Sequence, residues 1–213
     1  MSIIKSVSAC LARVPLDEPI EFSTRRVVAR EYCLIRVQTE DGYEGIGYCY
    51  AVNGAGRLLL LSAIELLAPK LIGQDSYLVE GLWEEMYQEA LLLGRAGAVM
   101  RALSAIDIAL WDVNARRASL PLYSYLGAKE FIEVPAYASG GYYLPGKTTA
   151  GLVDEMRQHV LDGFRAVKMK VGMLSVAEEG KRVAAVREAI GDDVRLMLDA
   201  NNAWKDLPTA LEY

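Results

Sequence analysis

The chain has 213 residues, 23 basic against 28 acidic, for a formal net charge of −5. That balance supplies no basic surface for nucleic acid, and no apolar run is long and charge-free enough to span a membrane. Hydrophobic residues make up 53% of the chain, enough for a sizeable core in one or two domains.

The opening Met-Ser-Ile-Ile-Lys lacks the charged head, apolar segment and small-residue cleavage site of a signal peptide. Cys10, Cys33 and Cys49 are an odd set in strand-like surroundings, which reads as buried thiols rather than a disulfide frame. A reducing compartment, the cytoplasm, is expected.

Residues 1 to about 50 read as a β-meander. Ile4–Val14 is a first strand and Glu31–Thr39 a second, with Glu40-Asp41-Gly42 as a hairpin turn into Tyr43–Tyr50. Between the first two strands the sequence predicts a long polar loop, Asp17–Arg30, carrying Arg25, Arg26 and Arg30. Such a loop is often functional, and its arginines suit an anionic substrate. An ordinary solvated loop accounts for it equally well.

Beyond Gly56 the period turns helical. Leu58–Leu67 and Val79–Leu92 are two helices, with Pro69 and Gly94 as breakers. A third runs over Ala98–Arg117, where Val99, Leu103, Ile106, Leu110 and Val113 form one apolar stripe. Asp107 and Asp112 on it are expected to be structural carboxylates. Pro121 and Gly127 close an α+β domain spanning residues 1–130.

Residues 131–213 have a different grammar. Strands at Glu133–Ser139, Arg165–Val171 and Val194–Asp199 alternate with helices at Thr149–Leu161 and Val176–Ile190, and Asp206 opens another helix. Short links between alternating strands and helices predict parallel strands with right-handed crossovers.

The most informative stretch is Gly163–Gly172. Val167, Met169 and Val171 alternate with Lys168 and Lys170, so a strand here puts both ammonium groups on one face. Two like charges held close disfavour each other's protonation, a usual route to a basic lysine. Taken alone, the same pattern also describes a solvated edge strand. Asp199-Ala200-Asn201 ends the next strand, and in a parallel barrel the carboxyl ends of the strands face one mouth. A carboxylate there suits Mg²⁺, and a carboxamide two residues on reaches a substrate hydroxyl. A rival is the phosphate-loop pattern at Gly141–Thr148, with a strand before and a helix after, which would make the chain a nucleotide hydrolase.

Four segments carry a resemblance. Ser104–Asp112, Pro121–Gly127, Gly163–Gly172 and Val194–Asn201 stand in the order and spacing of the enolase superfamily, and the chain is similar to its mandelate racemase and muconate lactonizing branch. The resemblance implies an α+β capping domain followed by the start of a parallel (β/α) barrel of TIM type. It implies Lys170 as base for the proton alpha to a carboxylate, Lys168 as its electrostatic partner, Asp199 as a Mg²⁺ ligand and Asn201 as a substrate contact. Arg25, in the Asp17–Arg30 loop, and Tyr50, in the loop Tyr48–Arg57, are the candidate contacts of the N-terminal domain. Pairing a lysine or histidine base with Mg²⁺ is general for this superfamily.

The implied activity is Mg²⁺-dependent formation of an enediolate, as in acid-sugar dehydratases or mandelate racemase-like enzymes, with a muconate-type cycloisomerase as alternative. The implied substrate is a small carboxylate, and the arginines tilt it toward polyhydroxy acids. A homo-oligomer is expected. About 250 residues make eight barrel strands, whereas three are predicted here, and one carboxylate does not satisfy Mg²⁺. The chain is therefore expected to be the first part of an enzyme, inactive alone, with further ligands and the opposing acid or base supplied elsewhere. A non-catalytic fragment is the reading from another class. His159, on the first barrel helix, is expected to be structural.

Overall fold

The computed structural model describes residues 1–51, 56–130 and 133–213, which pack as two compact units. Met1–Pro15 and Ala29–Phe131 form the first, Leu16–Val28 and Ile132–Tyr213 the second.

β1 (Ile4–Phe22), β2 (Arg25–Thr39) and β3 (Glu44–Tyr50) form a sheet in the order β1-β2-β3, in the first unit except for the ribbon end Leu16–Val28, which belongs to the second. Strand β2 alternates as a half-buried strand does: Cys33, Ile35, Val37 and Thr39 are buried and their neighbours are not. The pairing of β2 with β3 is antiparallel and sets Cys33 opposite Cys49. The expected turn lies between them, with Gly42 at φ 88° and its N–H donating to the Thr39 carbonyl at 3.1 Å.

Helices α1 (Gly56–Leu67), α2 (Val79–Glu89) and α3 (Gly97–Arg117) supply the rest of that core. Leu103, Ile106, Leu110 and Val113 of the expected stripe are buried. Strand β3 approaches α3 too closely for side chains: a Cβ on Gly45 would lie 2.1 Å from the Ala109 carbonyl oxygen, and one on Gly47 1.9 Å from that of Ala105. Asp112 is structural as expected, accepting the Ile46 N–H and the Arg116 guanidinium, each at 2.8 Å. A short helix absent from the sequence reading, α4 (Leu122–Tyr125), follows Pro121.

Two expected elements differ. The predicted loop Asp17–Arg30 is instead the far end of a β-ribbon, since β1 runs on to Phe22 and β2 begins at Arg25, leaving Ser23-Thr24 as the turn. Pro15 and Pro19 lie within this length, but β1 is an edge strand, where a missing N–H is tolerated. The first barrel strand is reduced to Ala138–Ser139, β4. Residues 133–137 are exposed, and Pro135 removes a ladder donor.

In the second unit β4, β5 (Ala166–Lys170) and β6 (Arg195–Asp199) lie parallel in that order, with Ser139 beside Lys168 and Lys170 beside Asp199. Helix α5 (Thr149–Leu161) connects the first pair and α6 (Val176–Ile190) the second. Thr148 caps α5 through the Gly151 N–H, and Ser175 with Glu178 forms a capping box on α6. Asp206 caps α7 (Leu207–Glu212). Val167, Met169, Leu152, Met156 and Val186 form the core between sheet and helices. No helix among the described residues is long and apolar enough to cross a membrane.

Candidate active site

Strand β5 sends Val167 and Met169 into the core and Lys168 and Lys170 to its other face. That face is not solvated. Strand β5 is the middle strand of its sheet, and Lys170 is only 6% exposed, which rules out the solvated edge strand. Lys170 Nζ lies 2.7 Å and Lys168 Nζ 3.2 Å from one oxygen, Asp199 Oδ2. The other oxygen, Oδ1, accepts the Asn201 N–H at 3.0 Å. The register that sets Lys170 beside Asp199 brings these groups together at the carboxyl ends of the strands.

Aromatic rings surround the ammonium groups. Lys170 Nζ lies 5.7 Å from the Phe22 ring centroid and 5.4 Å from that of Tyr142; Lys168 Nζ is 5.5 Å from Tyr137. These are cation–π distances. Phe22 comes from the ribbon end, which is fixed here by further bonds. The Ser23 hydroxyl donates to the Ala200 carbonyl, the Thr24 hydroxyl donates to that of Asn201 at 3.2 Å, and Glu21 and Tyr143 exchange backbone bonds at 3.0 Å.

The electrostatics correct one expectation. The Lys170 hydrogen bond above all, then the Asn201 amide and Lys168, outweigh burial and hold the Asp199 carboxyl down at about 2. Burial alone would lower Lys168, but the hydrogen bond and charge of Asp199, helped by Tyr137, raise it above its ordinary 10.5. The mutual repulsion of the two lysines is thus offset by the carboxylate between them.

Lys168, Lys170, Asp199 and Asn201 meet as the sequence predicts. Asn201 has φ 48°, and its Oδ1 is buried without a partner. Arg25 is exposed at the start of β2, next to Thr24, and Arg26 pairs with Glu21 at 3.4 Å. Tyr50 belongs to the first unit; its ring stands edge-on to Tyr32 and its carbonyl accepts Arg101. Residues 52–55 of the predicted loop Tyr48–Arg57 lie outside the described residues. Asp199 offers the hard oxygen that Mg²⁺ takes. It does so as a single carboxylate, since no group of three His, Cys, Asp or Glu side chains gathers among the described residues.

Lys147 of the phosphate-loop pattern is occupied. Its Nζ donates to Glu155 Oε2 at 2.5 Å and to the Tyr142 carbonyl at 3.3 Å, so the strand–loop–helix match has no lysine to offer a phosphate. Cys10 departs from its expected burial and is exposed; Cys33 is buried and Cys49 half-buried. His159 stands edge-on to Phe164.

Sequence reasoning missed a buried cluster behind Lys170. Glu179 and Arg182 on α6 are 3% and 8% exposed. Glu179 Oε1 accepts the N–H groups of Gly172, Met173 and Leu174 at 3.0, 3.2 and 3.1 Å, and also the Tyr143 hydroxyl. Its other oxygen takes Arg182 Nη1 at 2.5 Å, and the same nitrogen donates to the Lys170 carbonyl at 3.3 Å. The signal was present in the sequence: Glu179 falls within the 3-4-3-4 stripe Val176, Glu179, Val183, Val186, Ile190, where an apolar residue is expected.

Residues 5–127 match the family model for the mandelate racemase / muconate lactonizing enzyme N-terminal domain, and residues 151–213 match the enolase C-terminal domain-like model. The chain belongs to this family. It is therefore a member of the enolase superfamily, with the antiparallel-sheet N-terminal domain and the parallel three-strand start of the barrel. It is 37% identical to the arabinonate dehydratase of Saccharolobus solfataricus, over 82% of this chain and 46% of that one. It is also 37% identical to the 3,6-anhydro-alpha-L-galactonate cycloisomerase of Streptomyces coelicolor, over 95% and 55%. A crystal structure of an L-talarate/galactarate dehydratase mutant liganded with Mg and L-glucarate superimposes with a TM-score of 0.86 at 31% identity, over 98% of this chain and 53% of that one. The chain spans about half the length of the curated relatives it matches.

Proposed function

We propose that the protein removes the proton alpha to the carboxylate of an acid sugar, and that Lys170 is the base. The observation that carries this is the convergence of Lys168 and Lys170 on Asp199 at the carboxyl ends of β5 and β6. A base must be held within hydrogen-bond reach of the proton it takes, and Lys170 is held by Asp199 on one side and two aromatic rings on others. Lys168 keeps a positive charge at the site to meet a substrate carboxylate. Asn201, whose buried Oδ1 is unpartnered, accepts a substrate hydroxyl, and Arg25 is a further substrate contact.

Asp199 is the residue of this chain that would hold Mg²⁺. When bound, the ion supplies positive charge opposite the enediolate oxygens. The talarate/galactarate dehydratase structure, which carries Mg and L-glucarate, supports both the ion and the substrate class.

Two outcomes share this first step. In a dehydratase the electron pair left on the alpha carbon forms a double bond to the beta carbon as the C–O bond there breaks. The leaving hydroxyl takes up a proton in place of the one removed from the alpha carbon and departs as water, and the enol becomes a 2-keto-3-deoxy acid. In a cycloisomerase the proton returns to carbon as a ring opens or closes. Relatives of both kinds stand at 37% identity. Incubating the whole protein with Mg²⁺ and a panel of aldonic, aldaric and anhydro acids, followed by proton NMR, tests the assignment. Net loss of water from the acid marks the dehydratase, and an isomer of unchanged mass the cycloisomerase. Unaltered acids, with no alpha-proton exchange in deuterated water, contradict both.

A further inference from the structure

We propose that Glu179, with Tyr143 and Arg182, is a positioning network that fixes Lys170 and ties its place to the seating of the ribbon turn Ser23-Thr24. This rests on the reading of Lys170 as base.

Four contacts run in sequence. Within the second unit, the ribbon end meets the loop at Tyr143 through the paired backbone bonds with Glu21. The Tyr143 hydroxyl donates to Glu179, and the Arg182 guanidinium stacks 4.3 Å over the Tyr143 ring. Glu179 gathers three successive N–H groups of the segment that directly follows Lys170-Val171. Arg182 then takes the Lys170 carbonyl itself. A carboxylate that accepts three backbone N–H groups and two side-chain donors holds them far more firmly than water does. A buried Glu–Arg pair is also costly unless every partner is present.

The chemistry of Glu179 excludes other roles for it. Both its oxygens are filled, it is almost wholly buried, and its partners are donors. What it controls is where the chain goes after Lys170. The ribbon turn bonds the Ala200 and Asn201 carbonyls on one side, and through Tyr143 the ribbon bonds Glu179 on the other. Strands β5 and β6 are therefore held at their carboxyl ends by one continuous set of bonds.

The test uses Tyr143→Phe, which removes the hydroxyl that donates to Glu179 and accepts the Met173 N–H at 3.4 Å while keeping the ring under Arg182, alongside Glu179→Gln. Amide hydrogen exchange at Gly172, Met173 and Leu174 is measured together with the nitrogen-15 signal of the Lys170 ammonium. Tyr143→Phe is expected to speed exchange at those three amides about tenfold while interior amides of α6 stay protected. The Lys170 ammonium protons should exchange faster with water in step. Alpha-proton exchange on substrate should lose turnover with KM held. Glu179→Gln should exceed Tyr143→Phe in each readout; if it fails to fold, Tyr143→Phe alone decides. Loosened amides with an unchanged Lys170 signal overturn the proposal, as do unchanged amides. If Lys170→Met leaves substrate exchange intact, the base assignment fails separately, and the amide and ammonium readouts still judge the network.

Discussion

Lys170 Nζ lies 2.7 Å from Asp199 Oδ2, and that same oxygen also receives Lys168 at 3.2 Å. One carboxylate thus neutralises the mutual repulsion of two lysines that a single strand places side by side. Removing any of the three changes the balance for the other two, and the first two predictions follow that logic.

The Asp199 carboxyl titrates at about 2 in the fold, against an ordinary value of 3.8. Its folded value lies below its unfolded one, so it contributes stability above pH 3.8 that is lost as pH falls through about 2. Melting temperatures of wild type and Asp199→Asn should differ by a constant amount at pH 5 to 7 and begin to converge as pH falls toward about 2, where the folded carboxyl takes up its proton. A gap that stays constant down to pH 2 contradicts the ion-paired state of Asp199.

With Asp199 as the proposed Mg²⁺ ligand, the ion would compete for its carboxylate with two ammonium groups. Calorimetric titration should therefore show affinity lost in Asp199→Asn and raised several-fold in Lys168→Met, which removes a competing charge. Equal affinity in wild type and Asp199→Asn rules out Asp199 as a ligand.

Much of the site was legible because it rests on simple periods. Alternation in Val167–Val171 put the two lysines on one face, and parallel strand–helix grammar put Asp199 at the neighbouring strand end. Helices α5 and α6 matched their expected bounds because Thr148 and Ser175 cap them. What was not legible depends on distant partners. Pro15 and Pro19 look like loop residues unless the strand is known to be an edge, and the ribbon turn is held by carbonyls some 177 positions away. Glu179 and Arg182, three residues apart on a helix, resemble a solvated pair. The apolar stripe of α6 marks Glu179 as buried, but its partners, Tyr143 and the 172–174 amides, are announced by no local pattern.

Gly45 and Gly47 leave α3 no room for a side chain on β3. A Cβ would meet backbone oxygens at 2.1 and 1.9 Å, and helix backbone does not yield as a flexible side chain would. Gly47→Ala should cost about 3 kcal/mol or more and lower the denaturation midpoint of the first unit accordingly. Gly73→Ala is a poor control because its φ of 79° is itself strained, so Gly81→Ala, with open space around it, serves instead. Similar losses in Gly47→Ala and Gly81→Ala contradict the close approach.

Burial above all, then the neighbouring Cys49 and Cys10, push the Cys33 thiol up to about 11. At pH 8 its thiolate is on the order of one part in a thousand, and the thiolate is the reactive form. Mass spectrometry after a maleimide pulse should find the exposed Cys10 modified first and Cys33 modified only on unfolding. Early labelling of Cys33 contradicts its place in the core.

The central claim is that Lys170 takes the alpha proton, and exchange of that proton into deuterated water, compared between Lys170→Met and Lys168→Met, tests it most directly. Lys170→Met should lose exchange on its face by about a thousandfold or more while still binding substrate, because the atom that takes the proton is gone. Lys168→Met should retain measurable exchange with weakened substrate affinity, because only a neighbouring charge has gone. Wild-type exchange in Lys170→Met would contradict the assignment.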